Sequence, residues 1–198
     1  MNKLILASAS RHRATILDNA GLQFAQIESE LDERSIDAPL QQADVLPEDR
    51  ATILAEAKAI DVSQRYPDHY VIGCDQILSL DQEVLHKCKT MKEARQRLLA
   101  LSGRTHYLLS AVVLVQNGET IWRHVSPCTM TMRKLSPEFI GRHLSDAGET
   151  ILGSVGAYQI EGLGVQLFDS IEGDVFSIIG LPLLPLLAQL RKEGVIDG

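Results

Sequence analysis

Cysteine is scarce in this chain: Cys74, Cys88 and Cys128 are the only three in 198 residues. They are odd in number and widely separated, with no CxxC and no His/Cys pair at zinc spacing, so neither a disulfide scaffold nor a structural zinc site is expected. That pattern points to a reducing compartment. Positive charge is also in deficit, with 19 Lys plus Arg against 26 Asp plus Glu and a net charge of −7. A protein of that balance repels polyanions as a whole, so nucleic acid is not an expected partner, while a small anion can still bind at a local basic cluster. Long apolar runs are missing too. The opening LILA is far short of the roughly 7 to 15 apolar residues of a signal-peptide core, although Ala7-Ser8-Ala9 mimics a cleavage site. The run from Leu181 to Leu190 is broken by Pro182, Pro185 and Gln189 and is about half a membrane span. A cytoplasmic protein without a membrane partner is the expectation. No GxxxxGK[ST], HExxH or GxSxG occurs, which removes the common NTPase, zinc-protease and lipase readings.

What is present is a well-packed globular composition, 45% hydrophobic and 23% charged. At roughly 150 residues per domain the length predicts one domain, residues 1–198, able to bury on the order of 70% of its unfolded surface. LILA reads as a buried strand running into Ser8 and Ser10, either of which can cap a helix that buries Ile16, Leu17 and Ala20 and stops at Gly21. A second strand falls near Phe24 to Ile27. The polar stretch Glu28 to Asp49, with Pro39, Pro47 and little periodicity, reads as a mobile loop. A helix is predicted from Glu48 to Tyr66, with Lys58 at the edge of its buried face. The strand Tyr70 to Cys74 is expected to end at Asp75. Thr90-Met91-Lys92-Glu93 opens a helix that stops at Ser102-Gly103, and Asn117-Gly118 joins two antiparallel strands. Ser136-Pro137 starts a helix through Leu144, the Gly-rich segment Gly153 to Gly164 leads to a strand Val165 to Phe168, and a last helix spans Leu183 to Lys192. The expected class is α/β, a mixed twisted sheet flanked by helices.

Three places could carry chemistry. Ser8, Ser10, Arg11 and Arg13 lie between a strand end and a helix start, where unpaired amides and the helix dipole favour an anion. The same parts also make an ordinary capped surface helix. Asp75, following a buried strand, suits a metal ligand or a base, or simply starts a turn. Asp32-Glu33 is either a solvated acidic pair or a flexible carboxylate that completes a Mg²⁺ site. Lys58 and Lys87, taken singly, read as surface lysines, and His12 either faces solvent or stacks on a ligand. The other histidines show no metal spacing.

LILASASRHRATIL, Asp32-Glu33, AEAKA around Lys58, VIGCDQ, LSGRTH, GAYQIEGLG and IEGDVFSIIGLPL together resemble the Maf family of nucleoside triphosphate pyrophosphatases, over essentially the whole chain. The resemblance implies an elongated α/β fold related to the inosine triphosphate pyrophosphatases, a cleft between two lobes, and a homodimer. It implies cleavage between the α and β phosphates with Mg²⁺ or Mn²⁺. By position, Ser8 and Arg13 resemble phosphate contacts. Glu33 and Asp75 resemble the carboxylates that hold metal or activate water, and Lys58 and Lys87 resemble cationic clamps on the polyphosphate, Lys87 within the catalytic set. Asp75-Gln76 with Glu161-Gly162 resembles members acting on 7-methyl-GTP, whereas the dTTP/UTP group pairs Asp-Thr with Gln-Gly. A carboxylate at Glu161 can accept from guanine N1–H and the 2-amino group and offset the methylated ring's charge. His12 stands where that group carries an aromatic residue.

The chain departs from the family pattern at Arg11, where proline is usual, and at His86-Lys87-Cys88, where Gly-Lys-Pro is usual. Gly153-Ser154-Val155 stands where many members carry Asp-Lys. Two other readings stay open at this point: a catalytically weakened nucleotide-binding regulator, and an active enzyme preferring dTTP or UTP.

Overall fold

The computed structural model describes residues 3–197, and their contacts divide into two units. The first holds the chain up to Gln76, Ser110–Ser126 and the segment from Val175; the second holds Ile77–Leu109 and Pro127–Asp174.

In the first unit, β1 (Leu4–Ala7) is buried at every position, as a continuous apolar run must be when both faces of a parallel strand are covered. It lies between β2 (Ala25–Gln26) and β3 (Tyr70–Leu80), both parallel to it, with Ile5 opposite Ala25 on one side and Val71 on the other. Between these strands come α1 (Arg11–Asn19), α2 (Glu33–Gln42) and α3 (Pro47–Arg65). Ser10 is the residue that caps α1, its Oγ accepting from the Arg13 amide. The core joins Leu4, Leu6, Leu17 and Ile72 to Leu181, Leu186 and Leu190 of the C-terminal segment.

Two sequence expectations are corrected here. Residues 28–49 are not a loop, because they contain α2 and the start of α3. The former has no fully buried residue; its apolar face is only Ile36 and Leu40, one turn apart and half-buried, with Pro39 between them, too short a stripe to stand out from a loop. Ion pairing fixes it instead: Arg50, 4% exposed, donates through Nε and Nη2 to Asp37 at 3.1 and 2.6 Å. Nor does β3 end at Asp75, which is mid-strand. The strand continues because both polar side chains at its middle find buried partners, Asp75 on Lys58 and Gln76 on Ser110.

The second unit carries β4 (Glu83–Leu85), antiparallel to β3, then α4 (Met91–Leu101). β5 (Thr105–Gln116) and β6 (Glu119–Met132) each have residues in both units, Ser110–Ser126 with the Asn117-Gly118 turn belonging to the first; φ is positive at both turn residues as the hairpin signal requires. α5 (Pro137–Ala147) is capped by Ser136 and packs on α4. Where a strand from Val165 was expected, a 3₁₀ helix runs Leu163–Leu167, and β7 is Phe168–Glu172. The reason is Gly164, whose amide donates to the Gln159 carbonyl at a place where any Cβ would sit 2.4 Å from that oxygen. α6 (Val175–Ile179) and α7 (Leu183–Lys192) complete the first unit. The hydrogen-bonded strand order is β2-β1-β3-β5-β6-β7, with β4 on β3, a mixed sheet in an α/β fold.

His106 is fully buried in the second unit, its Nε2 2.7 Å from the Tyr158 hydroxyl, and burial beside the Arg97 charge pulls its pKa down to about 4. The unfolded chain binds that proton near pH 6.5 and the folded one does not, so stability is full above pH 6.5 and falls between there and about pH 4. The loss expected from this one group is about 3 kcal/mol. Thermal unfolding measured from pH 7 to 4 should show that slope, and His106→Phe should flatten it; an equal slope in the variant would assign the acid sensitivity to other groups.

Candidate active site

Two clusters of the expected site residues form in the first unit. One begins where β1 ends. Ser8 is buried, and its Oγ accepts from the Ser10 amide at 3.2 Å and from Arg13 Nη1 at 3.1 Å. Nη1 of Arg13 also donates to the Cys74 carbonyl at 3.1 Å, and Nε donates to the Gly180 carbonyl at 2.8 Å. Three bonds therefore aim one guanidinium, leaving Nη2 as its arm toward an anion, beside the amides of the first turn of α1. That turn holds no acidic residue to compete. His12 is half-buried on the same turn.

The second cluster joins three elements. Lys58 of α3 and Asp75 of β3 are each 9% exposed, and Lys58 Nζ lies 2.7 Å from Asp75 Oδ1 and 3.1 Å from Glu33 Oε2 at the start of α2. Gly73 makes this approach possible. A Cβ there would sit 2.2 Å from the Ala55 carbonyl and 2.7 Å from Ala59 Cβ, so only glycine lets α3 lie this close to β3. Arg65 secures the segment leading to Glu33, donating to Glu30 Oε1, Asp61 Oδ2 and the Glu28 carbonyl at 3.0, 3.1 and 3.0 Å.

Two carboxylates and one ammonium leave this cluster one negative charge in excess. Glu33 and Asp75 meet at Lys58 Nζ, and their carboxylate oxygens are hard donors of the kind that Mg²⁺ or Mn²⁺ takes. Mg²⁺ in particular usually takes one or two carboxylates and completes its shell with water and substrate phosphate. Among the described residues, no three His, Cys, Asp or Glu side chains gather as a larger metal group.

Gln76 follows Asp75 and leaves β3 on the opposite face, its Nε2 donating to Ser110 Oγ, the Ser177 carbonyl and the Ile178 carbonyl at 2.8, 3.1 and 2.9 Å. Lys87 and Glu161 are exposed and belong to the second unit, Lys87 just after β4 and Glu161 just before the 3₁₀ helix. The backbone beside Lys87 is restrained without the usual glycine and proline. Arg97 donates through Nη2 to the His86 carbonyl at 2.8 Å and through Nη1 to the Val155 carbonyl at 2.5 Å, while Cys88 is buried. The three cysteines are free and buried, and burial raises the Cys74 thiol to about 11, so it stays protonated at neutral pH beside the site.

Sequence reasoning missed Arg97, Arg50, Asp37, Gly180 and Ser110. Only Ser110 left a trace, as a lone hydroxyl within the apolar run from Leu108 to Val115.

No helix among the described residues is long and apolar enough to cross a membrane. The model of the family described as Maf-like protein matches residues 3–193. A protein of Mesorhizobium japonicum named 7-methyl-GTP pyrophosphatase is 60% identical over 196 residues, covering 99% of this chain and 98% of that one. A protein of the same name from Brucella abortus is 56% identical with the same coverage. Among solved structures, a nucleoside-triphosphatase / dITP/XTP pyrophosphatase from Mycobacterium abscessus is 14% identical, covers 96% of each chain and aligns with a TM-score of 0.38.

Proposed function

The chain belongs to the Maf-like protein family, and from that premise we propose that it is a nucleoside triphosphate pyrophosphatase whose substrate is 7-methyl-GTP. The observation that carries the reading is the convergence of Lys58, Asp75 and Glu33 on one point. Phosphoryl transfer asks for positioned charge rather than a covalent partner, and this cluster and the Arg13 loop supply it from rigid elements. The names of relatives at 56 to 60% identity support the choice of substrate.

In this reading Arg13, Ser8 and the first turn of α1 hold phosphate oxygens. Asp75 takes the proton of a water that attacks the α phosphorus; the bond from that phosphorus to the bridging oxygen breaks, and pyrophosphate leaves with the electron pair. Lys58 keeps Asp75 aimed and offsets charge on the polyphosphate, and Lys87 is a second cation for the departing end. A divalent cation, Mg²⁺ or Mn²⁺, held by Glu33 and Asp75 would neutralise phosphate charge. Glu161 reads guanine N1–H and the 2-amino group, Gln76 belongs to the substrate-binding set, and His12 stacks on the base. A cytoplasmic homodimer acting as a single domain over residues 1–198 completes the proposal.

The test is pyrophosphate release from 7-methyl-GTP, GTP, dTTP, UTP and CTP with Mg²⁺, repeated with Glu161→Gln. Selective turnover of 7-methyl-GTP is expected, with the selectivity reduced by about tenfold in the variant, the worth of one charged hydrogen bond. Preference for dTTP and UTP would keep the reaction and discard the base assignment. Binding without turnover would leave a nucleotide-binding protein.

A further inference from the structure

Gln76 is bound to the backbone in a way that base reading does not require. α6 is five residues long; its Ile178 carbonyl falls among the terminal ones that a helix leaves unpaired, and its Ser177 carbonyl has the Gly180 amide as its backbone donor. Gln76 Nε2 lies within hydrogen-bond distance of both, at 3.1 and 2.9 Å, and of Ser110 Oγ at 2.8 Å, so its two N–H groups are shared among three acceptors. The directions are unambiguous. Carbonyls only accept, so the amide nitrogen must face them. Ser110 Oγ donates its single proton to the Ser177 carbonyl at 2.6 Å, so it accepts from Gln76. Ser110 and Ser177 are fully buried, where an unmade bond is expensive.

The turn held this way ends at Gly180. Its amide donates to the Phe176 and Ser177 carbonyls at 3.0 Å each, its φ is +118°, and its carbonyl accepts from Arg13 Nε at 2.8 Å. Arg13 and Gln76 flank that glycine: a Cβ on it would lie 3.5 Å from Arg13 Nε and 3.9 Å from Gln76 Cδ. A continuous set of bonds therefore runs from Ser110 and Gln76 through residues 177–180 to the guanidinium.

We propose that Gln76 and Ser110 are positioning residues for Arg13, setting the affinity of the site for the phosphate end of the nucleotide through the turn 177–180. The proposal rests on the reading of Arg13 as a phosphate contact. Because phosphate is held in the ground state as well as in the transition state, displacing Arg13 raises KM while leaving kcat largely intact. Every nucleotide carries the same triphosphate, so the effect is blind to the base.

The experiment compares Ser110→Ala, Gln76→Met and Arg13→Ala with the parent chain, measuring kcat and KM on the five nucleotides and the Kd of inorganic pyrophosphate with Mg²⁺ by calorimetry. Gln76→Met keeps the length and removes the donors. Both relay variants should raise KM about tenfold for all nucleotides and weaken pyrophosphate by a similar factor, and Ser110→Ala, which lies outside the substrate-binding set, should in addition hold kcat within about twofold and keep the ranking of bases. A changed ranking at unchanged pyrophosphate affinity would overturn the proposal and make Gln76 a base reader. A loss of kcat that follows the folded fraction would overturn it as well. If Arg13→Ala weakens pyrophosphate while the relay variants do not, the relay alone falls. If Arg13→Ala changes nothing, the phosphate role of Arg13 falls and the relay falls with it.

Discussion

Asp75→Asn is expected to cut turnover by on the order of a thousandfold, the typical worth of a positioned general base, while the protein stays folded and binds nucleotide. The variant keeps the shape and an oxygen for Lys58 but loses the charge that attracts a proton or a metal. Lys58 retains Glu33 at 3.1 Å, so the ammonium is not left buried without an anion. Pyrophosphate release gives the loss, and the rise in melting temperature with Mg²⁺-nucleotide reports binding separately, since a ligand stabilises by mass action whether or not it is consumed. Turnover near the parent value would place the base elsewhere. Lost turnover together with a lost thermal shift would make Asp75 a binding group instead.

Gly73→Ala should be the most damaging small substitution in the first unit. The added methyl would meet the Ala55 carbonyl at 2.2 Å, Ala59 Cβ at 2.7 Å and Val113 Cγ2 at 2.8 Å, and the first of these is backbone that cannot rotate away. α3 must then retreat from β3, at a cost of about 3 kcal/mol or more, the upper end of overpacking. Activity should fall with it, because Lys58 lies on the stretch of α3 that contacts Gly73 and its 2.7 Å bond to Asp75 spans the same gap. Gly153→Ala is the control, since a methyl there meets nothing within 4 Å and φ is not positive; about half a kcal/mol or less is expected. Chemical denaturation of the two variants measures both effects. A Gly73→Ala protein with the parent midpoint would mean that the helix and strand are not held at this separation.

What the sequence alone determined is what neighbouring residues decide. Thr90 and Ser136 cap their helices and Asn117-Gly118 makes its hairpin turn because each depends on atoms a few positions away; for α1 the sequence left Ser8 and Ser10 open, and the structure has Ser10. The helix Leu183–Lys192 lies where the sequence placed it, before Gly194. The identities of Asp75, Glu33, Lys58 and Arg13 as candidates were legible too, from residue type and from the family resemblance. Their arrangement was not. α2 has no fully buried residue and only Ile36 and Leu40 as an apolar stripe, interrupted by Pro39, and it is held by Arg50 on Asp37 and Lys58 on Glu33, side-chain pairs that local pattern does not encode. Asp75 looked like a strand end because a carboxylate is costly inside a sheet; only Lys58, seventeen positions earlier, makes it affordable in mid-strand. Arg13 is aimed by Gly180, 167 residues away. Local backbone chemistry sets the elements, whereas buried polar groups are satisfied by whichever partners the fold brings to them, and that pairing exists only once the chain has closed on itself.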